Sequence, residues 1–300
     1  MKVAIPGATG LIGRLLVRSL VERGHEPVVL TRNPSRVSSD MADLDVRRWT
    51  ADPDPAAFEG VDAVVNLSGE PIVSGRWTAE KKRRIRESRV KGNAAIVSAL
   101  SMLDPRPGIL ITGSAVGYYG SRGDDLLVES DGNGTDFLAG VCRDLEAEAE
   151  KAEALGIRVI RMRTGVVLSP RGGALAKMLP PFRMGIGGRI GSGRQWFSWI
   201  HERDLIGAIL FILENPEISG AVNAVSPGAV RNSDFTRSLG RILSMPAFIP
   251  IPLIAFKLLY GEMAGVLAFS IRAAPEKLRG AGYEFEYSDI NEALAECVKG

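Results

Sequence analysis

Cysteine and histidine are scarce in this sequence. Its 300 residues include two cysteines, Cys142 and Cys297, and two histidines. Two thiols can form neither the disulfide framework of a small secreted domain nor a four-cysteine zinc site, and they suit a reducing compartment. We therefore expect no metal. Because the N-terminus also lacks the apolar core of a signal peptide, we expect a cytoplasmic location.

An excess of charge of one sign is also missing. Lys and Arg number 37 against 35 Asp and Glu, which leaves a formal net charge of +2. The most basic stretch, 81–91, contains Glu87, and aromatic residues are not interleaved with its cations as base stacking would require. A solvated helix face explains this stretch most simply, and we expect no nucleic-acid partner.

No apolar run is long enough for a bilayer span, which takes about 20 consecutive apolar residues. The most apolar segment, 246–271, is interrupted by Pro250, Pro252, Lys257 and Glu262. We expect it to form a helix that covers a pocket or an interface, with contact to a membrane surface as the alternative. No membrane partner is therefore expected.

Short β-branched runs alternate with longer amphipathic stretches along the chain. Strands that are apolar throughout and separated by helices are typical of a parallel sheet covered on both faces. The pattern predicts strands at 2–6, 27–31, 46–49, 61–67, 109–112 and 159–163, and helices at 11–23, 78–102, 137–155, 204–214 and 233–243. The fold class is therefore α/β, with a doubly wound parallel sheet of the Rossmann type.

A glycine-rich turn joins the first predicted strand to the first predicted helix. In Gly7-Ala8-Thr9-Gly10-Leu11-Ile12-Gly13 the first glycine allows a tight turn, the second lets a pyrophosphate approach the backbone, and the third lets the helix pack on the strand. The N–H groups and positive dipole end of the helix then face the phosphates. We expect an NAD(P)-binding site, with a purely structural turn as the alternative. Its residues are Gly7, Thr9, Gly10, Leu11, Ile12 and Gly13.

The end of the second predicted strand selects between NAD and NADP. An NAD site places a carboxylate there to accept from the ribose 2′-hydroxyl. This strand instead runs from Thr31 into Arg32-Asn33-Pro34-Ser35-Arg36, in which Arg32 can bind a 2′-phosphate and Arg36 can add a second cation. We expect NADP(H) as the cofactor. Two solvent-facing loop arginines are the alternative.

The composition and periodicity of the sequence change after Thr164. Residues 169–198 are rich in Gly, Pro and Arg and show neither helical nor strand periodicity. We expect residues 1–165 to form the dinucleotide-binding domain and residues 166–300 to form a smaller, mixed substrate-binding lobe. The segment 198–225 is expected to return to the sheet.

Further motifs extend along the whole chain. They are NLSGE at 66–70, GRW at 75–77, RIRESRV at 84–90, SAVGYYG at 114–120, the run 185–204 with its QW and SWIH, PEKL at 275–278 and GYEF at 282–285. With these the chain resembles the extended, atypical short-chain dehydrogenase/reductases, and more narrowly the SDR39U1-like epimerase family proteins with their small DUF1731-type C-terminal region. The resemblance implies an NADP(H)-binding fold whose chemistry is assigned by analogy with nucleotide-sugar epimerases.

The resemblance also implies cofactor contacts at the carboxyl ends of the later strands. In these enzymes the segment after the fourth strand closes on the adenosine and phosphates, the end of the fifth lies under the nicotinamide, and the segment after the sixth supports the carboxamide. Carried over by position, these residues are Asn66, Leu67, Ser68, Gly69, Thr112, Gly113, Thr164, Gly165, Val166 and Val167. For 66–69 a plain loop is the alternative.

Short-chain enzymes combine a Ser or Thr hydroxyl with Tyr-x-x-x-Lys on the following helix, where the lysine lowers the tyrosine pKa for proton exchange. Ser114 fills the serine position, but Leu138 and Cys142 stand at the tyrosine and lysine positions. Proton exchange must then use another group. Each available side chain also has a structural explanation: the tyrosines as pocket walls, Cys142 as a packed helix residue and His201 as a local hydrogen-bonding group. The candidates are Tyr118, Tyr119, Cys142, His201 or water, and we take Ser114, Tyr118 and Tyr119 as catalytic.

Substrate contacts are expected from two regions. Arg86 and Arg89 are three residues apart on the basic predicted helix and can face an anionic ligand. The Gly/Arg loop 183–196 allows close backbone approach, and its side chains suit a flat or anionic group, with a loop that binds no ligand as the alternative. We take the substrate residues as Glu70, Arg86, Arg89, Arg189, Trp196 and His201.

Three functions compete. The leading one is an NADP(H)-dependent oxidoreductase for a small carbonyl or hydroxyl compound, in which Ser114 orients the substrate oxygen. The second is a nucleotide-sugar epimerase, although that chemistry also relies on the missing tyrosine. The third is a cofactor-binding sensor that has lost its chemistry. The partner is a small molecule in each case, and a homodimer is left open.

Overall fold

A seven-stranded parallel sheet forms the centre of the protein, seen here in a computed structural model that describes residues 1–72, 75–254, 258 and 261–299. Its strand order is β11-β7-β5-β4-β1-β2-β3, and every pairing is parallel. The strands are β1 (Lys2–Pro6), β2 (Glu26–Thr31), β3 (Asp45–Arg48), β4 (Ala63–Asn66), β5 (Ile109–Ala115), β7 (Arg158–Thr164) and β11 (Gly220–Ala224).

Helices cover both faces of this sheet. The helices α1 (Leu11–Glu22) and α5 (Glu202–Glu214) pack on one face, and α2 (Ala79–Ser101) and α3 (Phe137–Glu150) lie on the other. Alternate residues of β1 enter the two cores, with Val3 and Ile5 in the first and Ala4 in the second. The predicted doubly wound α/β fold is therefore confirmed.

The C-terminal half adds shorter elements. They are α4 (Gly173–Arg183), α6 (Asn232–Ile242), a short helix Glu276–Gly280 and a final helix Ile290–Lys299. Two-stranded pairs join β8 (Val166–Leu168) to β10 (Trp199–His201), β9 (Trp196–Phe197) to β12 (Val230–Arg231), and β6 (Leu126–Leu127) to β13 (Arg272–Ala273). A separate apolar core holds α4, α6 and the final helix together, and it includes Leu175, Leu179, Trp199, Phe235 and Leu294.

Predicted and observed elements agree closely, including the two helices predicted after residue 164, but the structure has further elements in that half. Sequence periodicity does not predict β11, which is short and bears a buried Asn223, or α4, which has Pro180 and Pro181 in its interior. The predicted helix within 246–271 lies partly outside the described residues, and Gly261–Ala268 form a 3₁₀ stretch. No helix in the part of the chain that the structure describes has both the length and the apolarity to span a bilayer.

The strand order reverses between β1 and β4. In open parallel sheets, ligands bind in the crevice outside the carboxyl ends of the strands at such a reversal. The glycine turn follows β1, the segment 66–69 begins at the end of β4, and Ser114 lies near the end of β5. The fold therefore brings three of the predicted site regions to one edge of the sheet.

Candidate functional site

The turn between β1 and α1 has no room for side chains at two of its glycines. Gly7 adopts a φ of +91°, and a Cβ atom there would lie 2.7 Å from the carbonyl carbon of Leu67. A Cβ atom at Gly13 would overlap the backbone of Gly7, so only glycine lets α1 pack on the turn. No side chain caps α1 at Gly10, so its first N–H groups are available to an anion. The backbone of 9–12 therefore fits a pyrophosphate.

Arginines gather on the loop that follows β2. Arg32 and Arg36 are exposed, and neither guanidinium group forms a hydrogen bond or ion pair with any residue that the structure describes. Arg14 reaches this loop from α1, because its Nη1 donates to Ser38 Oγ at 2.8 Å. Sequence reasoning missed Arg14. Its position directly after the third glycine of the turn could have indicated that it lies near the cofactor site.

A buried hydrogen-bond chain fixes the end of β4. Asn66 Nδ2 and Thr112 Oγ1 both donate to Asn93 Oδ1, at 2.7 Å and 2.9 Å. Asn66 Oδ1 in turn accepts from the backbone N–H and the hydroxyl of Ser68. Asn66 and Thr112 therefore shape the site from within the protein. Sequence reasoning missed Asn93. The one feature that could have indicated it is that a polar residue stands on the apolar face of α2.

At the end of β5, Ser114 donates its hydroxyl proton to Glu146 of α3. The distance from Oγ to Oε1 is 2.6 Å, and Ser114 is half-buried. Glu146 is 2% exposed, and its carboxylate accepts from Nε and Nη2 of Arg163 in β7, at 3.1 Å and 2.9 Å. The Cys142 thiol also forms a hydrogen bond with Ser114, so one lone pair of Oγ remains for a further partner. Sequence reasoning missed both Glu146 and Arg163.

Tyr118 and Tyr119 occupy different environments. Tyr119 is fully buried, and its hydroxyl donates to Asn223 Oδ1 at 2.7 Å and accepts from Arg163 Nη1 at 3.1 Å. Burial raises the pKa of Tyr119 to about 12, so the phenol stays protonated and its bonds are structural. Tyr118 is half-buried and stacks on the guanidinium of Arg163 at 3.4 Å. Its hydroxyl has no hydrogen-bond partner among the described residues, so Tyr118 is the better placed of the two for proton exchange.

An apolar side chain and a neutral thiol stand where short-chain enzymes have tyrosine and lysine. Leu138 is buried, and it cannot exchange a proton. Burial raises the pKa of the Cys142 thiol to about 11, and the charge of Glu146 acts in the same direction. Cys142 is therefore uncharged near neutral pH and does not supply the fixed positive charge of a lysine.

Closely packed backbone forms the site at the ends of β5 and β7. The N–H of Val166 donates to the Ser198 carbonyl at 2.9 Å, and a Cβ atom at Gly165 would lie 2.8 Å from that oxygen. A Cβ atom at Gly113 would lie 3.3 Å from the carbonyl oxygen of Asn66. The half-buried residues Thr164 and 166–167 continue from this region into β8. Such a surface suits the flat face of a ring.

The predicted substrate arginines on α2 both have partners within the protein. Arg89 Nη1 donates to the carbonyl of Glu70 at 3.0 Å, and its guanidinium lies against Gly69. Arg86 forms an ion pair with Asp144 of α3. Arg89 therefore holds the 66–70 loop, and Arg86 connects two helices.

Glu70, a predicted substrate residue, lies near the loop that carries Arg32. Its carboxylate forms an ion pair with Lys81 at 2.6 Å. The hydrogen bond from Lys81 lowers the pKa of Glu70, and the nearby charges of Arg84 and Arg32 lower it further. Glu70 therefore belongs with the loop that carries Arg32.

Trp196 is held between two guanidinium groups. The Cζ atoms of Arg231 and Arg272 lie 4.2 Å and 4.4 Å from its ring centre, and its Nε1 donates to Asp124 at 3.0 Å. A cavity of about 510 Å³ adjoins this stack. Arg189 is exposed and donates to a carbonyl of its own loop, that of Ser192, at 2.8 Å. The Trp196 partners Asp124 and Arg231 line that cavity, whereas Arg189 lies on the surface.

His201, a predicted substrate residue, is buried and has structural contacts. Its Nδ1 accepts from the N–H of Arg203 at 3.2 Å and so caps α5. Its ring stacks on Tyr287 with 4.0 Å between ring centres, and burial lowers its pKa. Among the residues that the structure covers, no group of three or more His, Cys, Asp or Glu could hold a metal ion.

Known proteins resemble the chain along its whole length. Residues 3–225 match the NAD dependent epimerase/dehydratase family, and residues 251–297 match a domain of unknown function, DUF1731. The epimerase family protein SDR39U1 homolog of Arabidopsis thaliana, described as chloroplastic, is 40% identical over 98% of this chain and 86% of its own length.

Two solved structures are similar to this one. Human epimerase family protein SDR39U1 (isoform 2), crystallised with NADPH, has a TM-score of 0.91 and 30% identity, with both chains covered completely. A nucleoside-diphosphate sugar epimerase from Corynebacterium glutamicum has a TM-score of 0.79 and 35% identity, over 98% of this chain and 57% of that one. This chain belongs to the NAD dependent epimerase/dehydratase family, and within it to the SDR39U1-like epimerase family proteins with a C-terminal DUF1731 domain.

Proposed function

We propose that the protein is a cytoplasmic NADP(H)-dependent oxidoreductase of the atypical short-chain type, acting on a small carbonyl or hydroxyl compound. The loop after β2 carries this proposal. The Arg32 and Arg36 side chains form no hydrogen bond or ion pair there in the described structure, Arg14 reaches the same loop, and no carboxylate ends the strand. A 2′-phosphate would give Arg32 and Arg36 a directly bound anion, in addition to the nearby charge of Glu70. Human SDR39U1, crystallised with NADPH, supports the same cofactor.

The carboxyl edge of the sheet would hold this cofactor. The glycine turn fits the pyrophosphate, the segment 66–69 faces the adenosine side, and the backbone of 113 and 164–167 offers a surface for the nicotinamide. When bound, the nicotinamide supplies or accepts a hydride. The remaining chemistry, proton transfer to or from the substrate oxygen, falls to the protein.

Ser114 and Glu146 can carry that proton. The Ser114 hydroxyl donates to Glu146, so the remaining lone pair of Oγ can accept the hydroxyl proton of an alcohol as the serine proton moves to Oε1. In the reductive direction the same proton returns through Ser114 to the carbonyl oxygen. Arg163 holds the carboxylate in place with two hydrogen bonds. A serine–carboxylate relay would thus replace the tyrosine of other short-chain enzymes.

A nucleotide-sugar epimerase is the second candidate, and the 35% identical protein described as a nucleoside-diphosphate sugar epimerase favours it. An epimerase retains its cofactor through the cycle, whereas an oxidoreductase exchanges it. A cofactor that survives purification, together with a thermal shift on adding a nucleotide sugar, would support the epimerase.

The test is a turnover assay on purified protein, with NADPH and a panel of aldehydes and ketones, and with NADP⁺ and a panel of alcohols. We expect net oxidation of NADPH or net reduction of NADP⁺ with at least one class of compound. Interconversion of nucleotide sugars without net change in the cofactor would replace the proposal by the epimerase. NADPH binding without turnover on either panel would replace it by a cofactor-binding sensor.

A further inference from the structure

Large apolar side chains stand exposed together on the C-terminal half of the protein. Phe248 is 78% exposed and Ile254 is 64% exposed. Soluble proteins expose such residues singly, and a cluster of them marks a contact surface. The cluster, here called the apolar patch, consists of Met184, Ile186, Met245, Phe248, Ile249 and Ile254.

Two neighbouring segments bring most of the patch together. The N–H of Ile251 donates to the carbonyl of Arg189 at 2.8 Å, and the N–H of Gly191 donates to the carbonyl of Ile251 at 3.0 Å. Gly185 lies against Pro246, with 3.4 Å between its Cβ position and Pro246 Cγ. The segments 184–191 and 245–254 therefore run side by side, and their exposed apolar side chains lie on neighbouring loops.

The charged side chains of these segments are all basic. Residues 177–194 and 237–254 contain no Asp or Glu, although the whole chain is nearly balanced, with 37 Lys and Arg against 35 Asp and Glu. The cations in the two ranges are exposed and are Lys177, Arg183, Arg189, Arg194, Arg237 and Arg241. Arg237 is paired with Asp234 on the same helix, and the remaining cations leave an excess of positive charge beside the apolar patch.

We propose that this face binds peripherally to the surface of a bilayer that contains anionic phospholipid. Apolar side chains on exposed loops can enter the boundary of the acyl chains, while the arginines contact the phosphate headgroups. A second copy of the chain is a poorer occupant, because a two-fold contact would set the same cations against each other. Peripheral contact requires no spanning helix, and it departs from the expectation that the chain has no membrane partner.

Flotation of the full chain with lipid vesicles tests this surface. We expect binding to phosphatidylcholine vesicles with about 30% phosphatidylglycerol to be at least tenfold tighter than to phosphatidylcholine alone, and to weaken with salt. The double variant Arg183→Glu/Arg241→Glu and the single variant Phe248→Ser should each bind the anionic vesicles about tenfold or more weakly.

Matched controls lie far from the patch. Arg279→Glu makes the same charge change on the short helix Glu276–Gly280, and Met102→Ser removes a side chain that is 57% exposed after α2. Both should bind vesicles like the unmodified protein. Circular dichroism and NADPH calorimetry on every variant would show that the fold is intact.

Several outcomes would overturn the proposal. One is equal binding to both vesicle types, or no binding to either. Another is equal loss in the patch variants and the controls. A third is a dimer by light scattering that Phe248→Ser converts to a monomer, with no vesicle binding, because the patch would then be an interface between two copies.

Discussion

Ser114 and Glu146 form a hydrogen bond of 2.6 Å between the end of β5 and the middle of α3. In short-chain enzymes the helix after this strand brings a tyrosine and a lysine to the serine. Here α3 brings the carboxylate of Glu146, one turn beyond Cys142, and Arg163 of β7 donates hydrogen bonds to that carboxylate. Ser114 therefore has Glu146 as its proton acceptor, and beside its hydrogen bond with Cys142 it keeps one lone pair for a substrate.

Removing the Ser114 hydroxyl should impair turnover and leave cofactor binding intact. We expect Ser114→Ala to lower kcat about 10²-fold, because the proton path is lost. The KM for NADPH should change little, and Ser114→Thr should retain most of the activity. Steady-state kinetics measure this, with Ser101→Ala at the exposed end of α2 as the control. Wild-type kcat in Ser114→Ala would show that the serine carries no proton.

The Glu146–Arg163 pair should also stabilise the fold. Both side chains are 3% exposed, so Glu146→Gln leaves a buried guanidinium with a weaker partner. We expect the free energy of unfolding in urea to fall by about 3 kcal/mol. Glu148→Gln, on the same helix, weakens an exposed pair with Lys151 and should cost less than about 1 kcal/mol. Equal losses in the two variants would contradict the structural importance of the buried pair.

A methyl group should be harmful in the phosphate turn and harmless in α3. Gly7→Ala combines a positive φ with a Cβ atom 2.7 Å from the Leu67 backbone, so we expect it to abolish NADPH binding and to lower stability by about 2 kcal/mol. At Gly140, inside α3, a Cβ atom would meet nothing within 4 Å. Gly140→Ala should therefore raise stability by about 1 kcal/mol. Thermal unfolding and calorimetry measure both, and NADPH binding by Gly7→Ala at wild-type affinity would refute the placement of the pyrophosphate.

Asp204 should make stability depend on pH. Its carboxyl accepts the N–H groups of Glu286 and Tyr287, at 2.8 Å and 3.0 Å, and burial raises its pKa from 3.8 to about 6. The folded protein therefore holds this proton more tightly than the unfolded chain. Protonated Asp204 therefore adds to the free energy of unfolding below pH 4, and this contribution is lost as the pH rises to about 6.

Buried His201 acts in the opposite direction, because its lowered pKa makes folding favour the neutral ring as the pH rises. Asp204→Asn should remove one of two opposing effects. We expect its free energy of unfolding to rise more steeply between about pH 4 and pH 6 than that of the unmodified protein. Urea titrations across this range measure the two slopes, and parallel slopes would show that Asp204 has an ordinary pKa in the folded protein.

Local patterns in the sequence were enough to predict the sheet and the phosphate turn. A strand, a glycine turn and a helix in succession leave few alternatives, and the missing carboxylate after Thr31 is visible without a structure. The order of these elements also places Ser114 at the end of β5. Each of these features depends on neighbours within about ten residues.

The parts of the site that depend on distant contacts could not be predicted. Glu146, Glu148 and Glu150 look alike in the sequence of α3, and only the packing of β7 against that helix singles out Glu146 as the partner of Ser114. The same holds for Trp196, whose two stacking arginines come from β12 and β13. Arg86 and Arg89 share a helix face as expected. The guanidinium group of Arg86 forms an ion pair with Asp144, and that of Arg89 donates to the 66–70 loop.

Arg32 should determine the preference for NADPH. We expect Arg32→Asp to weaken NADPH binding about 10- to 100-fold, because it removes a charge-assisted contact and adds repulsion, while NADH binding changes little. Arg279→Asp makes the same change near β11, at the opposite edge of the sheet from β2, and should affect neither cofactor. Equal weakening of NADPH and NADH by Arg32→Asp would refute the phosphate contact.

Calorimetric titration of the unmodified protein with NADPH and then with NADH is the most direct measurement. A pyrophosphate held at the glycine turn, with arginines at the 2′-position, predicts one site per chain and at least tenfold tighter binding of NADPH. No heat with either nucleotide, or tighter binding of NADH, would contradict it.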